Sequence, residues 1–380
     1  MKLCYIGSLE ALHTRRWVRY FADRGHEVDV VTPLPYVFTH VTSYAMDNVR
    51  VHTYKNIRTH RGFLDLAFNL VGLPLRVIQF RSWIKRINPD LVHVHYINEA
   101  ALFTVLAGFR PLVVTAYGTD VLITPQRSRL LRGIVSYVVR KADLVTCTGE
   151  TVKGTLIKLG VEPSKIDIIY VGTDTDRFRP RAGDSGLRER LGLHDSPTIV
   201  SLRRLEPIYD VGTLVNAVPL VLARCPAAKF VVAGSGSEEE KLRQMAHSLG
   251  VHDSVRFVGN LSEEEVPSYL ASAHIYVSTA LSDGGLSAST TEAMACALPV
   301  IITDVADNRS WVEDGISGFV IPTGDPQALA RRIIYLVEHP EAREEVGANG
   351  REVVVERNNW HKEMTKMEQI YQRMILKGTA

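Results

Sequence analysis

Short apolar runs recur along this chain, each bounded by turn-forming residues and followed by a longer segment with helical spacing. In the first half KLCYIG, HEVDVVT, LVHVH, PLVVTAY and DLVTCT read as strands; in the second half TIVSL, KFVVAG, SVRFVG, IYVST and PVIITD repeat the scheme. This alternation predicts an α/β protein with parallel sheets, arranged as two units. Between the two series lies Val171 to Pro197, VGTDTDRFRPRAGDSGLRERLGLHDSP, whose Gly, Pro, Asp and Arg content reads as a linker. Asn359 to Leu376 reads as a last amphipathic helix with no strand after it.

Composition agrees with two folded units. The chain has 380 residues, 46% hydrophobic and 23% charged, enough for two domains with substantial cores. Cys4, Cys147, Cys225 and Cys296 lie far apart without a CxxC pair, so neither a zinc site nor a disulfide framework is expected, and a reducing cytoplasm fits. The opening MKLCYIG is not a signal peptide, and no apolar stretch is long enough to span a membrane. Nothing points to a nucleic-acid partner. The net charge of +2 conceals an asymmetry: residues 1–182 hold 25 Lys+Arg against 15 Asp+Glu, whereas the remainder holds 19 against 27. The basic excess concentrates in Arg58 to Arg86 and Arg127 to Lys141, where cations alternate with large apolar residues. Such segments are either ordinary amphipathic helices or surfaces for an anionic membrane.

In open parallel sheets ligands bind at the carboxyl ends of the strands, so the loops there are the places to look for chemistry. Gly7-Ser8 follows the first strand, and Gly234-Ser235-Gly236-Ser237 follows KFVVAG. Glycine at these points lets backbone N–H groups approach a phosphate, although neither loop has the full GxGxxG spacing. A third loop, SDGGLSASTTEAMA (Ser282 to Ala295), is more specific. Gly284-Gly285 exposes consecutive N–H groups, Ser287 and Ser289 add hydroxyls, and Glu292 enters the following helix. A carboxylate there suits sugar hydroxyls rather than phosphate.

These residues resemble a family 4 glycosyltransferase of the GT-B fold over nearly the full chain. Asp283-Gly284 through Glu292 resembles the family's donor-site signature. EDGISGFVIPTGDPQALA (Glu313 to Ala330), IIYVGTDTDRFRP (Ile168 to Pro180), RGHEVDVVT and TAYGTDV (Thr115 to Val121) resemble further family segments in the family's order. The resemblance implies two Rossmann-like domains facing each other across a cleft: residues 1–178 on the acceptor side and 179–358 binding the donor, with the helix 359–376 packing back on the first.

It further implies retaining transfer of a sugar from a UDP-, GDP- or ADP-sugar, without metal or other cofactor, to a glycan, lipid-linked or small-molecule acceptor. The enzyme would be cytoplasmic or peripheral on the inner face of an anionic membrane. Carried over residue by residue, Glu292 binds the ribose and Asp283 the donor sugar. Gly284, Gly285, Leu286 and Ser287 hold the diphosphate, and Arg203 or Arg204 neutralises it. Gly7, Ser8, Gly234, Ser235, Gly236 and Gly259 belong to the donor loops. Tyr117 and Asp120 stand near the reacting carbon, and His95 and His13 on the acceptor side.

This chain departs from the pattern in four places. Asp283 replaces the usual Glu and leaves eight residues before Glu292 instead of seven; Tyr209 stands where a Lys is usual; Tyr117 takes the place of a His; and Ala297 stands where the helix usually ends in Gly. Asp174-Thr175-Asp176 spells a metal-binding DxD but sits in the linker, and His93 and His95 share a strand face with no third ligand at fixed spacing. The rival readings are a nucleotide-sugar epimerase, a dehydrogenase, disfavoured by its incomplete fingerprint, and a silent sugar-nucleotide-binding subunit.

Overall fold

The computed structural model describes residues 1–33, 48–54, 72–180 and 185–378. These form two units, Met1–Tyr170 with Glu363–Ala380, and Val171–Lys362.

The first unit is built on a seven-stranded parallel sheet in the order β3-β2-β1-β4-β5-β6-β7. Its strands are β1 (Lys2–Ile6), β2 (Glu27–Pro33), β3 (Val49–Tyr54), β4 (Leu91–His95), β5 (Leu112–Ala116), β6 (Leu144–Cys147) and β7 (Ile166–Ile168). Near-continuous apolar runs such as LVVTA, buried at every position, are what a parallel strand covered on both faces requires. β3 and β7 carry too few apolar residues to stand out by pattern, and they form the two edges. The strand order reverses between β1 and β4, which opens a crevice at the carboxyl ends of those strands.

The second unit repeats the plan with six strands, β10-β9-β8-β11-β12-β13. These are β8 (Thr198–Leu202), β9 (Lys229–Ala233), β10 (Val255–Gly259), β11 (Ile275–Ser278), β12 (Val300–Thr303) and β13 (Phe319–Ile321). Here the order reverses between β8 and β11.

The segment expected to be a linker is better described as structured chain of the second unit. Thr173 bridges Asn359, Phe178 and Leu193 are buried, and a helix runs Ser185–Arg190. Its few apolar residues are spaced too irregularly to announce this. The chain passes between the units near Tyr170, not Phe178.

The last helix, Trp360–Gly378, returns to the first unit from Glu363 onward. Its Met364, Met367, Ile370 and Tyr371 are buried. The Glu363 carboxylate accepts the Tyr170 N–H at 3.0 Å, and Tyr371 shares hydrogen bonds with Tyr5 and His93 beneath the sheet's switch point. The described parts of the two basic segments are amphipathic helices, Leu73–Ile87 and Arg129–Lys141, which bury Phe80, Ile84 and Ile87 and Val135, Val138 and Val139 respectively. Residues 58–71 of the first basic segment lie outside the described residues.

Candidate functional site

Each switch point gathers one cluster of the residues singled out by sequence. In the second unit Arg203 and Arg204 follow β8 directly. Alternation along an extended chain sends neighbouring side chains to opposite faces. Arg203 is 8% exposed, and its Nη2 donates to Asp283 Oδ1 at 2.7 Å. The Arg204 side chain is 72% exposed and faces Glu206 at 3.7 Å. Of the two arginines, Arg203 is the one that points inward.

The Arg203 guanidinium also lies 4.5 Å over the ring of Tyr209, which closes the short turn Pro207–Tyr209. That turn is tied to the end of β11 by Thr279 Oγ1, which donates to the carbonyls of Tyr209 and Asp210 at 3.2 and 2.8 Å. Burial works against the Arg203 charge, and Asp283 with the nearby phenols of Tyr276 and Tyr209 more than offsets it. Burial pushes the Asp283 carboxyl above its ordinary range, against the pull of Arg203.

The glycines after β9 have a packing reason. A Cβ on Gly234, whose φ is +138°, would stand 2.1 Å from the Arg203 carbonyl oxygen, and one on Gly236 would stand 2.2 Å from that of Leu205. The loop therefore braces the backbone that carries Arg203, with Leu205 N–H donating to Ser235 O at 2.9 Å. The Gly234 N–H is spent on the Gly259 carbonyl at 2.8 Å, and Ser235 Oγ accepts from Asn260.

Across the switch point, the loop after β11 holds Asp283, Gly284, Gly285, Leu286 and Ser287 and leads into the helix Ala288–Ala295. Ser287 caps that helix by accepting the Thr290 N–H at 3.4 Å, and Tyr276 hydrogen-bonds Ser289 at 2.7 Å. Glu292, on the same helix, is 6% exposed.

The first unit's cluster comprises Gly7, Ser8 and His13 after β1, His95 at the end of β4, and Tyr117 and Asp120 after β5. His95 is buried rather than lining an opening, because the β1–α loop lies directly on it: a Cβ on Gly7 would meet the His95 Cβ at 3.0 Å. Its Nδ1 stands 2.9 Å from the Tyr117 hydroxyl, while its Nε2 has no hydrogen-bond partner among the described residues. Burial, aided by His13, lowers the His95 pKa to about 3, and burial with Arg16 lowers that of His13 to about 4, so both rings are neutral. Burial raises the Tyr117 pKa well above its ordinary value, with Asp120 next in effect, so the phenol keeps its proton. The Tyr117 ring stacks on His13 (centroids 5.3 Å apart, 12° between planes) and on Tyr96 (5.9 Å, 19°). Asp120 accepts the N–H groups of Ile97, Tyr117 and Gly118 and so shapes the loop.

Sequence reasoning missed several members of these clusters. Thr14, Tyr96, Tyr276 and Thr279 carry no motif and are found only by the pairing of distant strands. His361 is another. It joins Asp174 and Asp176, the three ligand atoms lying within 4.8 Å of one another, as the one such three-residue group among the described residues. His93 bonds Thr115 at 2.6 Å and Tyr371, a buried structural arrangement and not a metal pair.

Comparison with known proteins agrees with the sequence resemblance and the sheet topology. Residues 2–149 match the glycosyl transferase 4-like family, and residues 186–353 match glycosyl transferases group 1. The GDP-mannose-dependent alpha-(1-6)-phosphatidylinositol monomannoside mannosyltransferase of Mycobacterium tuberculosis is 30% identical over 264 residues, 67% of this chain and 68% of the relative. The N-acetyl-alpha-D-glucosaminyl L-malate synthase of Bacillus anthracis is 26% identical over 93% of this chain and 91% of its own. Among solved structures, Anabaena Alr3699/HepE with UDP and glucose superposes with a TM-score of 0.81 at 21% identity, over 98% of this chain and 99% of that one. The sucrose-phosphate synthase of Thermosynechococcus elongatus reaches 0.82, also at 21% identity, over the whole of both chains. These two likenesses establish the fold, two Rossmann-like domains of the GT-B type. The epimerase and silent-subunit readings gain no support from relatives that are named as transferases and synthases. The chain belongs to the group 1, GT4-like glycosyltransferases, enzymes that move a sugar from a nucleotide sugar to an acceptor.

Proposed function

We propose that the protein is a retaining, metal-independent transferase that binds a nucleoside diphosphate sugar on its second unit and passes the sugar to a glycan or lipid-linked acceptor. The observation that carries this reading is Arg203, a buried guanidinium at the carboxyl end of β8, beside the sheet's switch point. As the bond to the sugar breaks, negative charge develops on the departing diphosphate, and a fixed cation stabilises it where it forms. That cation also removes the need for a metal.

The loop Gly284 to Ser287 supplies backbone N–H groups to the same phosphates, and Glu292 accepts the ribose hydroxyls. Asp283 Oδ1 is engaged by Arg203, which leaves Oδ2 for a hydroxyl of the donor sugar. In the first unit, the Tyr117 phenol keeps its proton and pairs with His95, leaving a hydroxyl on the acceptor side. The GDP-mannose-dependent relative and the neighbour bound to UDP and glucose support GDP-mannose and UDP-glucose as donors to test first.

A lipid-linked acceptor agrees with the first unit's surface. Leu75, Ile78 and Leu130 are exposed beside Arg81, Lys85, Arg129 and Arg132, a mixture suited to an anionic bilayer. No described helix is long and apolar enough to cross a membrane. All four cysteines are free and buried, which agrees with the cytoplasmic side.

The test is slow donor hydrolysis, which transferases perform without acceptor. Incubation with UDP-glucose, GDP-mannose and ADP-glucose in EDTA should release nucleoside diphosphate from one of them, and proton NMR should find the first-formed sugar in the donor's α configuration. Initial release of the β-anomer overturns retention, and loss of hydrolysis in EDTA that Mg²⁺ restores overturns metal independence.

A further inference from the structure

The charges around Arg203 do not match its proposed ligand. Counting what faces the pair from each element packed against it, β8 contributes the Arg203 guanidinium and the loop after β11 contributes the Asp283 carboxylate. Beside them the turn Pro207–Tyr209 adds the Tyr209 phenol and β11 the Tyr276 phenol. Arg204 lies on the other face and is matched by Glu206. The sum at this point is zero. Where a lysine would bring a second cation, this chain has Tyr209, whose ring is a platform for the guanidinium and adds no positive charge.

The guanidinium fork carries five N–H donors, and the structure gives one of them, on Nη2, to Asp283. A diphosphate taking the remaining donors would flank the same buried cation from another side. Two anionic groups then share one guanidinium at close range, with side-chain exposures of only 7% for Arg203 and 15% for Asp283. In such a setting one of the anions gives up its charge, as when two carboxylates share a site. The phosphates of a nucleotide sugar are diesters and stay ionised near neutrality, so the carboxylate is the group that changes.

Building on the donor-site reading, we propose that Asp283 is the positioning residue of Arg203 and takes up a proton from solvent when the diphosphate of a nucleotide sugar binds. The proton goes onto Asp283 Oδ1 or Oδ2, no bond of the ligand changes, and the neutral carboxyl remains a hydrogen-bonding neighbour of the fork. Burial already favours the protonated carboxyl before any ligand arrives. The sign follows by linkage: a group that gains a proton on binding makes affinity fall as pH rises through the window between its free and bound titration points, by up to about tenfold per pH unit.

Calorimetric titration of the full-length protein with UDP-glucose, GDP-mannose and ADP-glucose tests this. At a fixed pH near 7, two buffers of different ionisation heat give the protons taken up per ligand bound. The wild type should take up a measurable fraction of a proton, up to about one, and bind more weakly as pH rises from 6 to 8. Asp283→Asn keeps the shape without the charge; it should take up none and lose the pH dependence.

Absence of proton uptake by the wild type, or uptake that persists in Asp283→Asn, overturns the proposal; the wild-type measurement stands even if the variant fails to fold. Arg203→Ala separates the two levels. If it abolishes binding while the wild type takes up no proton, the donor-site reading survives and this one does not. If none of the three donors binds the wild type, both fall.

Discussion

Replacing Arg203 by alanine removes two things at once, and their magnitudes can be separated. The first is transition-state stabilisation: one preorganised group facing developing charge is worth about 2.7 kcal/mol or more, so turnover should fall by at least about 100-fold. The second is the counter-ion of a buried carboxylate. Breaking a buried pair by deleting one partner typically destabilises by about 3–5 kcal/mol, and this pair is nearly as enclosed as that figure assumes. The Tyr209 contact adds about 1 kcal/mol. Arg203→Ala should therefore lower the melting temperature by several degrees as well as abolish most donor hydrolysis. Adding Asp283→Asn to it should recover much of the stability and little of the turnover, because it removes the stranded charge without restoring a cation. Arg204→Ala, at an exposed position, should change stability by less than about 0.5 kcal/mol and leave turnover near normal. The assay is nucleotide release at a temperature at which every variant is folded, with melting followed separately. Near-normal turnover in Arg203→Ala, or a larger loss in Arg204→Ala, would refute the reasoning.

Four other expectations are independent of that one. Glu292→Ala should weaken donor and free nucleotide alike, by the about 1.5–3 kcal/mol of charge-assisted hydrogen bonds, and unchanged nucleotide affinity in calorimetry would remove Glu292 from the ribose site. Gly234→Ala should destabilise the second unit and lower turnover together, because the Arg203 backbone must move to admit a Cβ; a variant with wild-type melting and activity would contradict the contact. His95 and His13 titrate at about 3 and 4 when folded and near 6.5 when unfolded, so the unfolded chain binds more protons below pH 6.5 and stability should fall on acidification from there to about pH 4. His95→Gln should flatten that fall in denaturant titrations; an unchanged slope would show that His95 titrates freely. Neutralising Arg127, Arg129 and Arg132 together should reduce binding to anionic liposomes, as added salt should, without altering donor affinity; if the wild type ignores such liposomes, the membrane surface is lost as an explanation of these residues.

How far each of these features was legible in the sequence depended on the distance over which its cause acts. Several inner strands were legible because burial on both faces forces near-continuous apolar runs such as PLVVTAY and PVIITD. The edge strands Val49–Tyr54 and Phe319–Ile321 are half-covered or very short and leave no such trace. At the site, the loop Asp283 to Ser287 and Glu292 were legible as local motif, since glycine, hydroxyl and acid stand close in the chain. The choice between Arg203 and Arg204 was not, because it depends on which face of β8 meets a loop 80 residues later. The glycines after β9 also serve a contact that the local pattern does not announce, close packing against the Arg203 and Leu205 backbone. The burial of His95 was not legible, because the loop that covers it comes from the start of the chain, about 90 residues away.

The path of the chain into its last helix has a consequence for biosynthesis. The second unit is one uninterrupted stretch, Val171–Lys362, whereas the first needs residues on both sides of it. Tyr371 completes the hydrogen-bonded group with Tyr5 and His93, and Met364 and Met367 fill space beside it. During synthesis the amino-terminal sheet therefore waits, with His93 and Tyr5 lacking the Tyr371 hydroxyl, until residues 363–378 have left the ribosome, although nearly 200 intervening residues have by then had time to fold. The order of emergence and the order of completion are reversed. A stop codon or a protease cut near residue 362 would spare every residue of the second unit and yet leave the first unfinished.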